Sequence, residues 1–275
     1  MIAVVFDLDG VLYRGPEPIP EAAGCIRRLR DTGTRLGFLT NNSTRERSEY
    51  VEILARHNIH AEEREIMTSG EATARFLRTQ GIQGGRIFVI GGEGLQKTLS
   101  KAGYVVETGD DGDRCELVVI GWDRSFSFAK IVRAQKEVLE NGARLIATNV
   151  DAMFPAQGGR LLPGAGAMVA SVEASTGRKA EVIGKPNTIS LRFLLEELGV
   201  WPGTPVESIW CIGDRLDTDI ACGNAFGART VLVTTGITDR ASALAGRDEM
   251  KPDHVIDSLR ELPGLILKES AHTGS

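Results

Sequence analysis

Four short segments, far apart along 275 residues, carry residue types that can work together on phosphate: Asp7-Leu8-Asp9-Gly10, Thr40-Asn41-Asn42, Lys185-Pro186, and Gly213-Asp214 with Asp219. Acidic side chains hold a hard divalent cation such as Mg2+ through oxygen, and one or two suffice when phosphate oxygens complete the shell. A carboxylate can also attack phosphorus to form an aspartyl-phosphate. A second carboxyl can protonate the leaving oxygen and later take a proton from water. Hydroxyl and amide donors hold phosphoryl oxygens as negative charge develops, and a lysine offsets the repulsion. The whole set points to magnesium-dependent phosphoryl transfer.

Within that chemistry Asp7 is the expected nucleophile and Asp9 the expected acid and base, with Gly10 allowing the second side chain to curl back over the first. Acid duty requires Asp9 to titrate above the ordinary ~3.9 of an aspartate. Asp214, at a strand end, is the better direct metal ligand. Asp219, one turn later, is expected to orient a bound water or the loop. Thr40, Asn41 and Asn42 are the expected phosphate binders, with Lys185 beside them, while Ser43 or Thr44 is placed to cap the next helix.

These segments need a scaffold that gathers them at one edge. Residues 2–6 are a wholly apolar run, as in a parallel strand covered on both faces. Helix 21–31, strand 35–39, helix 45–57 and helix 70–79 follow, an alternation that describes βαβ units. The pattern restarts near residue 86 with further strands and helices, passes a Gly/Pro-rich region over 155–166, and reaches a helical segment ended by Gly177. Helix 188–198, strand 208–212, helix 217–226, strand 230–233 and a last strand and helix around 254–262 complete it. In an open α/β sheet ligands collect beyond the carboxyl ends of the strands, where three of the four segments fall. The expected division is a core of 1–80 and 182–270, an insert of 81–181, and a flexible tail of 271–275.

Composition is that of an ordinary soluble protein, with 42% apolar and 25% charged residues. A formal charge of -5 without a basic block argues against nucleic acid or an acidic membrane surface as partner. No apolar run approaches the ~20 residues of a membrane span, and the start reads as a strand rather than a signal peptide. The four cysteines, Cys25, Cys115, Cys211 and Cys222, form no C-x-x-C pair and read as small buried hydrophobes, which suggests a cytoplasmic protein.

FDLDGVLYRG, TNNS, GKPN and GDRLDTDI together resemble the haloacid dehalogenase-like hydrolase superfamily. The resemblance is closest to the branch of para-nitrophenylphosphatase-like, phosphoglycolate, pyridoxal phosphate and N-acetylglucosamine-operon phosphatases. It implies a Rossmann-like parallel-sheet core with an inserted α/β cap, and hydrolysis of a small-molecule phosphomonoester. It also implies magnesium held by the Asp7 carboxylate, the Asp9 backbone carbonyl and Asp214. Caps of this branch often mediate dimer contacts, so the resemblance admits a homodimer through the cap. Where related caps commonly read TNPD then Arg, this chain has Thr148, Asn149, Val150, Asp151 and Ala152. Asn149, Asp151 and Trp122 are the cap residues expected near the substrate. The competing readings are a phosphotransferase or dehalogenase on the same core, or a metabolite-binding protein with a vestigial site.

Overall fold

The computed structural model describes residues 1–155 and 161–272. Its chain divides into two compact units. The first comprises Met1–Thr40, Ser48–Met67 and Lys185–Ser275, and the second comprises Asn41–Arg47 and Thr68–Gly184.

The first unit is built on a six-stranded sheet in the order His254–Ile256, Arg229–Val233, Ile209–Gly213, Ala3–Phe6, Arg35–Thr40 and Ile66–Thr68. Parallel pairing joins its first five strands. The apolar run of residues 2–6 becomes the central strand because helices cover both faces and every residue of Ala3–Phe6 is buried. Later strands of the chain add on one side of Ala3–Phe6 and earlier ones on the other, so the order reverses there. Such a switch point opens a crevice beyond the strand ends. Phe6 stands level with Ile212 on one side and Phe38 on the other, which brings the residues that follow to one edge.

The second unit has its own parallel five-stranded sheet, ordered Glu181–Val182, Arg144–Ala147, Leu117–Ile120, Arg86–Ile90 and Val105–Glu107. Phe88, Ile90, Val118 and Ile120 meet Ala134, Val138, Met168, Val169 and Val172 of helices Phe128–Leu139 and Ala165–Thr176 in one core. Gly177 ends the second helix in the left-handed conformation that glycine adopts at least cost. The architecture is therefore a Rossmann-like parallel core with an inserted α/β cap.

Several elements differ from the sequence reading. The helix expected from residue 45 begins at Arg47, because Asn42 Oδ1 accepts from both the N–H and the hydroxyl of Thr44 and turns the chain there. Neither Ser43 nor Thr44 is its cap. The helix expected over 217–226 opens as a π-helical turn, Leu216–Ile220, before Ala221–Phe226 continues it as α-helix. Short pairs such as Tyr13–Arg14 with Glu17–Pro18 escape periodicity because two residues carry no pattern. Met153–Pro155 and Leu161–Pro163 form an antiparallel pair within the Gly/Pro-rich region, whose residues 156–160 lie outside those described. The last helix runs to His272, and residues 273–275 of the expected tail also lie outside the described residues.

Candidate active site

Asp7 follows the central strand directly, and its N–H donates to Ile212 O at 2.8 Å, as though the strand continued one residue further. The turn beyond it is sharp: Gly10 has φ +84°, and its N–H donates to Tyr13 O at 2.8 Å. A side chain at Gly10 would also lie 2.5 Å from Asp214 Oδ2, so glycine serves there both conformation and close approach. Asp9 sits within this turn, half-buried, bridged to Tyr13.

Lys185 is the hub of the site. Its ammonium donates to Asp7 Oδ1 at 2.6 Å, to Asp219 Oδ1 at 2.5 Å and to Leu39 O at 3.0 Å. The lysine and Asp219 side chains are each 5% exposed and Asp7 is 13% exposed. Asp219 spends its other oxygen on the loop, accepting from the N–H groups of Asp214 at 3.2 Å and Arg215 at 3.1 Å. The π-helical turn carries this carboxylate back over Gly213, where a Cβ would collide with it. Asp214 Oδ2 accepts from Ile237 N at 2.8 Å, and Gly236 leaves no room for a side chain of its own beside that carboxylate.

The donor set fits a divalent cation. Carboxylate oxygens of Asp7, Asp214 and Asp219 lie within 4.8 Å of one another. Three carboxylates face one ammonium, leaving the cluster short of positive charge. Asp219 already has protein donors on both oxygens. Among the described residues Asp7 Oδ1 meets Lys185 and Asp214 Oδ2 meets Ile237 N, so each of these two carboxylates has its other oxygen left that could hold a cation. Hard oxygen donors of this kind suit magnesium.

The same shortage of positive charge governs protonation. Burial, then the neighbouring carboxylates Asp219 and Asp214, push Asp7 well above the usual range, although Lys185 opposes them. Burial and Asp219 carry Asp214 up to about 7 against the Ile237 N–H, Lys185 and Arg215. Burial works against the charge on Lys185, but Asp219 and Asp7 outweigh it and raise its pKa. An aspartate raised on folding binds more protons folded than unfolded, so its contribution to stability is lost as pH rises from its unfolded value through its folded one. Metal-free protein should therefore melt at a lower temperature as pH rises from about 4 to above 7. Magnesium should restore stability at the alkaline end, and Asp214→Asn should flatten the metal-free slope. Identical metal-free slopes for the wild type and this variant in thermal melts would contradict the assignment.

A profile of the haloacid dehalogenase-like hydrolase family matches residues 4–105, and a second, HAD-hydrolase-like, matches 182–262. Chronophin of Rattus norvegicus is 36% identical over 273 residues, covering 94% of this chain and 86% of its own. The chain belongs to the haloacid dehalogenase-like hydrolases. Among solved structures, the p-nitrophenyl phosphatase of Archaeoglobus fulgidus aligns with 34% identity and a TM-score of 0.85, covering 96% of this chain and 98% of its own. Glycerol phosphate phosphatase of Mycobacterium tuberculosis, solved in complex with magnesium, aligns at 29% identity and a TM-score of 0.83, covering 94% of this chain and 75% of its own.

In this haloacid dehalogenase-like hydrolase, Asp7, Lys185, Asp214 and Asp219 meet as one cluster, and Thr40, buried, ends the strand beside them. The asparagine side chains are engaged elsewhere. Asn42 makes the turn to Thr44, and Asn41 Nδ2 donates to Asp151 Oδ1 at 3.0 Å. Asn149 Nδ2 donates to Asn41 O at 2.8 Å. Trp122 stacks on Phe154 with centroids 4.2 Å apart and donates from Nε1 to Pro163 O at 2.9 Å, which fixes the indole on the hairpin. The sequence reading missed Ser69, whose hydroxyl donates to Asn41 O at 2.5 Å, and the Gly236-Ile237 pair that holds Asp214. Gly236 follows the largely β-branched run of residues 230–235, and that was the available signal.

Proposed function

We infer that this chain is a magnesium-dependent phosphomonoester hydrolase acting on a small phosphorylated metabolite through an aspartyl-phosphate. The observation that carries the reading is the buried Asp7–Lys185–Asp219 triad beside Asp214, at the carboxyl end of the central strand. Asp7 and Asp214 would hold magnesium, with the Asp9 carbonyl as further ligand. When bound, the ion draws charge from the phosphoryl oxygens and offsets the repulsion an anionic nucleophile meets.

Asp7 attacks phosphorus through one oxygen of its carboxylate, forming the acyl phosphate as the bond to the leaving alkoxide breaks. Lys185 keeps that carboxylate in place and helps balance the negative charge gathered at the transferring group. The Thr40 hydroxyl and the Asn41-Asn42 backbone donate to phosphoryl oxygens. Asp9 gives its proton to the departing alkoxide and then takes one from the water that cleaves the acyl phosphate. Asp219 positions, through Lys185 on one oxygen and the Asp214-Arg215 backbone on the other.

All four cysteines are free and buried, as a reducing compartment allows, which supports a cytoplasmic setting. No helix of the described residues is long and apolar enough to cross a membrane. Phe128, Val132 and Leu139 lie exposed on one helix of the inserted unit, which supports a homodimer through that unit. The net charge of -5 argues against a nucleic-acid partner.

The test is release of inorganic phosphate from a panel of phosphomonoesters, with magnesium and with chelator, ranked by kcat/KM. Magnesium-dependent release is expected, and a panel without turnover would return the vestigial-site reading. Appearance of a new phosphoester when an alcohol is added would show a phosphotransferase instead.

A further inference from the structure

Two of the points at which the chain passes between its units fall at residues of the proposed site: Thr40 is followed by Asn41, and Gly184 by Lys185. Both outer residues are tied to one loop of the inserted unit, Thr148 to Asp151. Asn41 is held at each polar end. Its carbonyl accepts from Asn149 Nδ2 at 2.8 Å and Ser69 Oγ at 2.5 Å, and its side-chain amide donates to Asp151 Oδ1 at 3.0 Å. The loop is braced internally, since Asn149 Oδ1 accepts from Asp151 N at 3.1 Å and Asn149 Nδ2 also donates to Thr148 Oγ1 at 3.2 Å. Gly184 donates its N–H to Thr148 O at 2.9 Å. A Cβ on Gly184 would stand 2.5 Å from both Asn41 Oδ1 and Thr148 O, so Asn41 and Gly184 lie against each other and against the loop.

Three of these residues are shielded from water, Asn41 at 7% exposure, Asn149 at 4% and Thr148 at 0%, while Asp151 is half-buried. Buried polar bonds of this kind are stiff and costly to leave unmade. One peptide bond further along each crossing stand the Thr40 hydroxyl and Lys185. Misplacing a transition-state donor by about 1 Å can cost about 10²-fold in rate.

We propose that Asn149 and Asp151 are positioning residues. They act through Asn41 to set the phosphate-binding hydroxyl of Thr40 and, with Gly184, the register of Lys185, and they do not touch the leaving group. The catalytic part rests on the phosphatase reading above; the clamp itself does not.

The experiment combines kinetics on 4-nitrophenyl phosphate and glycerol phosphate, with magnesium, and amide hydrogen exchange of the full chain. Asp151→Ala should lower kcat by about 10- to 100-fold with KM changed less than about 3-fold on either substrate. Asp151→Asn retains an acceptor for Asn41 Nδ2 and should recover most of that loss. In a Thr40→Val background the Asp151→Ala change should cost less than about 3-fold more. A full additional loss there, or a KM effect that differs between the two leaving groups, would overturn the proposal. Exchange at the amides of residues 40–44 should quicken in Asp151→Ala while Ala3–Phe6 stays protected, and unchanged exchange there overturns the clamp. This readout needs no turnover, so it separates failure of the clamp from failure of the phosphatase reading. Should Asp151→Ala not fold, Asn149→Ala removes the bond to Asn41 O and carries the same expectations.

Discussion

Asp7→Asn is expected to lower magnesium-dependent phosphate release by at least about 10⁴-fold while leaving the chain folded. The substitution is nearly isosteric, and the side chain packs at the end of a strand whose four residues are all buried. What changes is chemistry. An amide oxygen is a far weaker nucleophile than a carboxylate, and the displaced charge also weakens any cation shared with Asp214. Lys185 keeps its 2.5 Å partner in Asp219, so no buried charge is stranded, and the melting temperature should move little. Rapid quench with substrate labelled at phosphorus should trap phosphate on the wild-type protein and none on the variant. Substantial metal-dependent turnover by Asp7→Asn would remove this residue as nucleophile.

Lys185→Met should damage stability along with rate. Its ammonium is the cation that Asp7 and Asp219 share at 2.6 and 2.5 Å, with all three side chains at or below 13% exposure. Removing it leaves two buried carboxylates facing each other, and breaking such a pair typically costs about 3–5 kcal/mol. For a chain of this size that lowers the melting temperature by roughly 10 °C. The lysine, raised on folding, contributes fully below its unfolded value near ~10.4, and that contribution fades only as pH climbs through its still higher folded value. The wild type thus keeps this charge through the acidic and neutral range. The variant's carboxylates can protonate instead, so its deficit should shrink on acidification and grow toward neutral pH. Rate should fall by about 10²–10³-fold, as for loss of a charged transition-state donor. A variant that melts with the wild type at neutral pH would show that the triad does not hold this corner of the fold together.

How much of this was legible beforehand depends on the range of each interaction. The central strand, the flanking helices and the parallel order were readable because burial on both faces leaves continuous apolar runs, and caps and glycines mark helix ends. Asp7, Lys185, Asp214 and Asp219 were nameable because each follows a strand or opens a helix in a recognisable local setting. Asn41 and Asn149 were singled out as well, as phosphate and substrate contacts, but the bonds between their segments were not. Their bonds span 108 residues of chain, and no local pattern reports a partner so distant. Asn42 stands before Ser-Thr, where an asparagine can serve an anion or make its own turn, and the bonds its side-chain oxygen accepts from Thr44 show the turn.

Residue order along the chain thus determined which groups stand at strand ends and which charges they bring. Tertiary structure alone decided that one lysine would serve two aspartates 34 and 178 residues away, leaving Asp214 to its backbone partner. The physical reason is that local propensity acts over a turn or a strand, whereas burial forces each charge to find whichever opposite charge the packed sheet brings within reach.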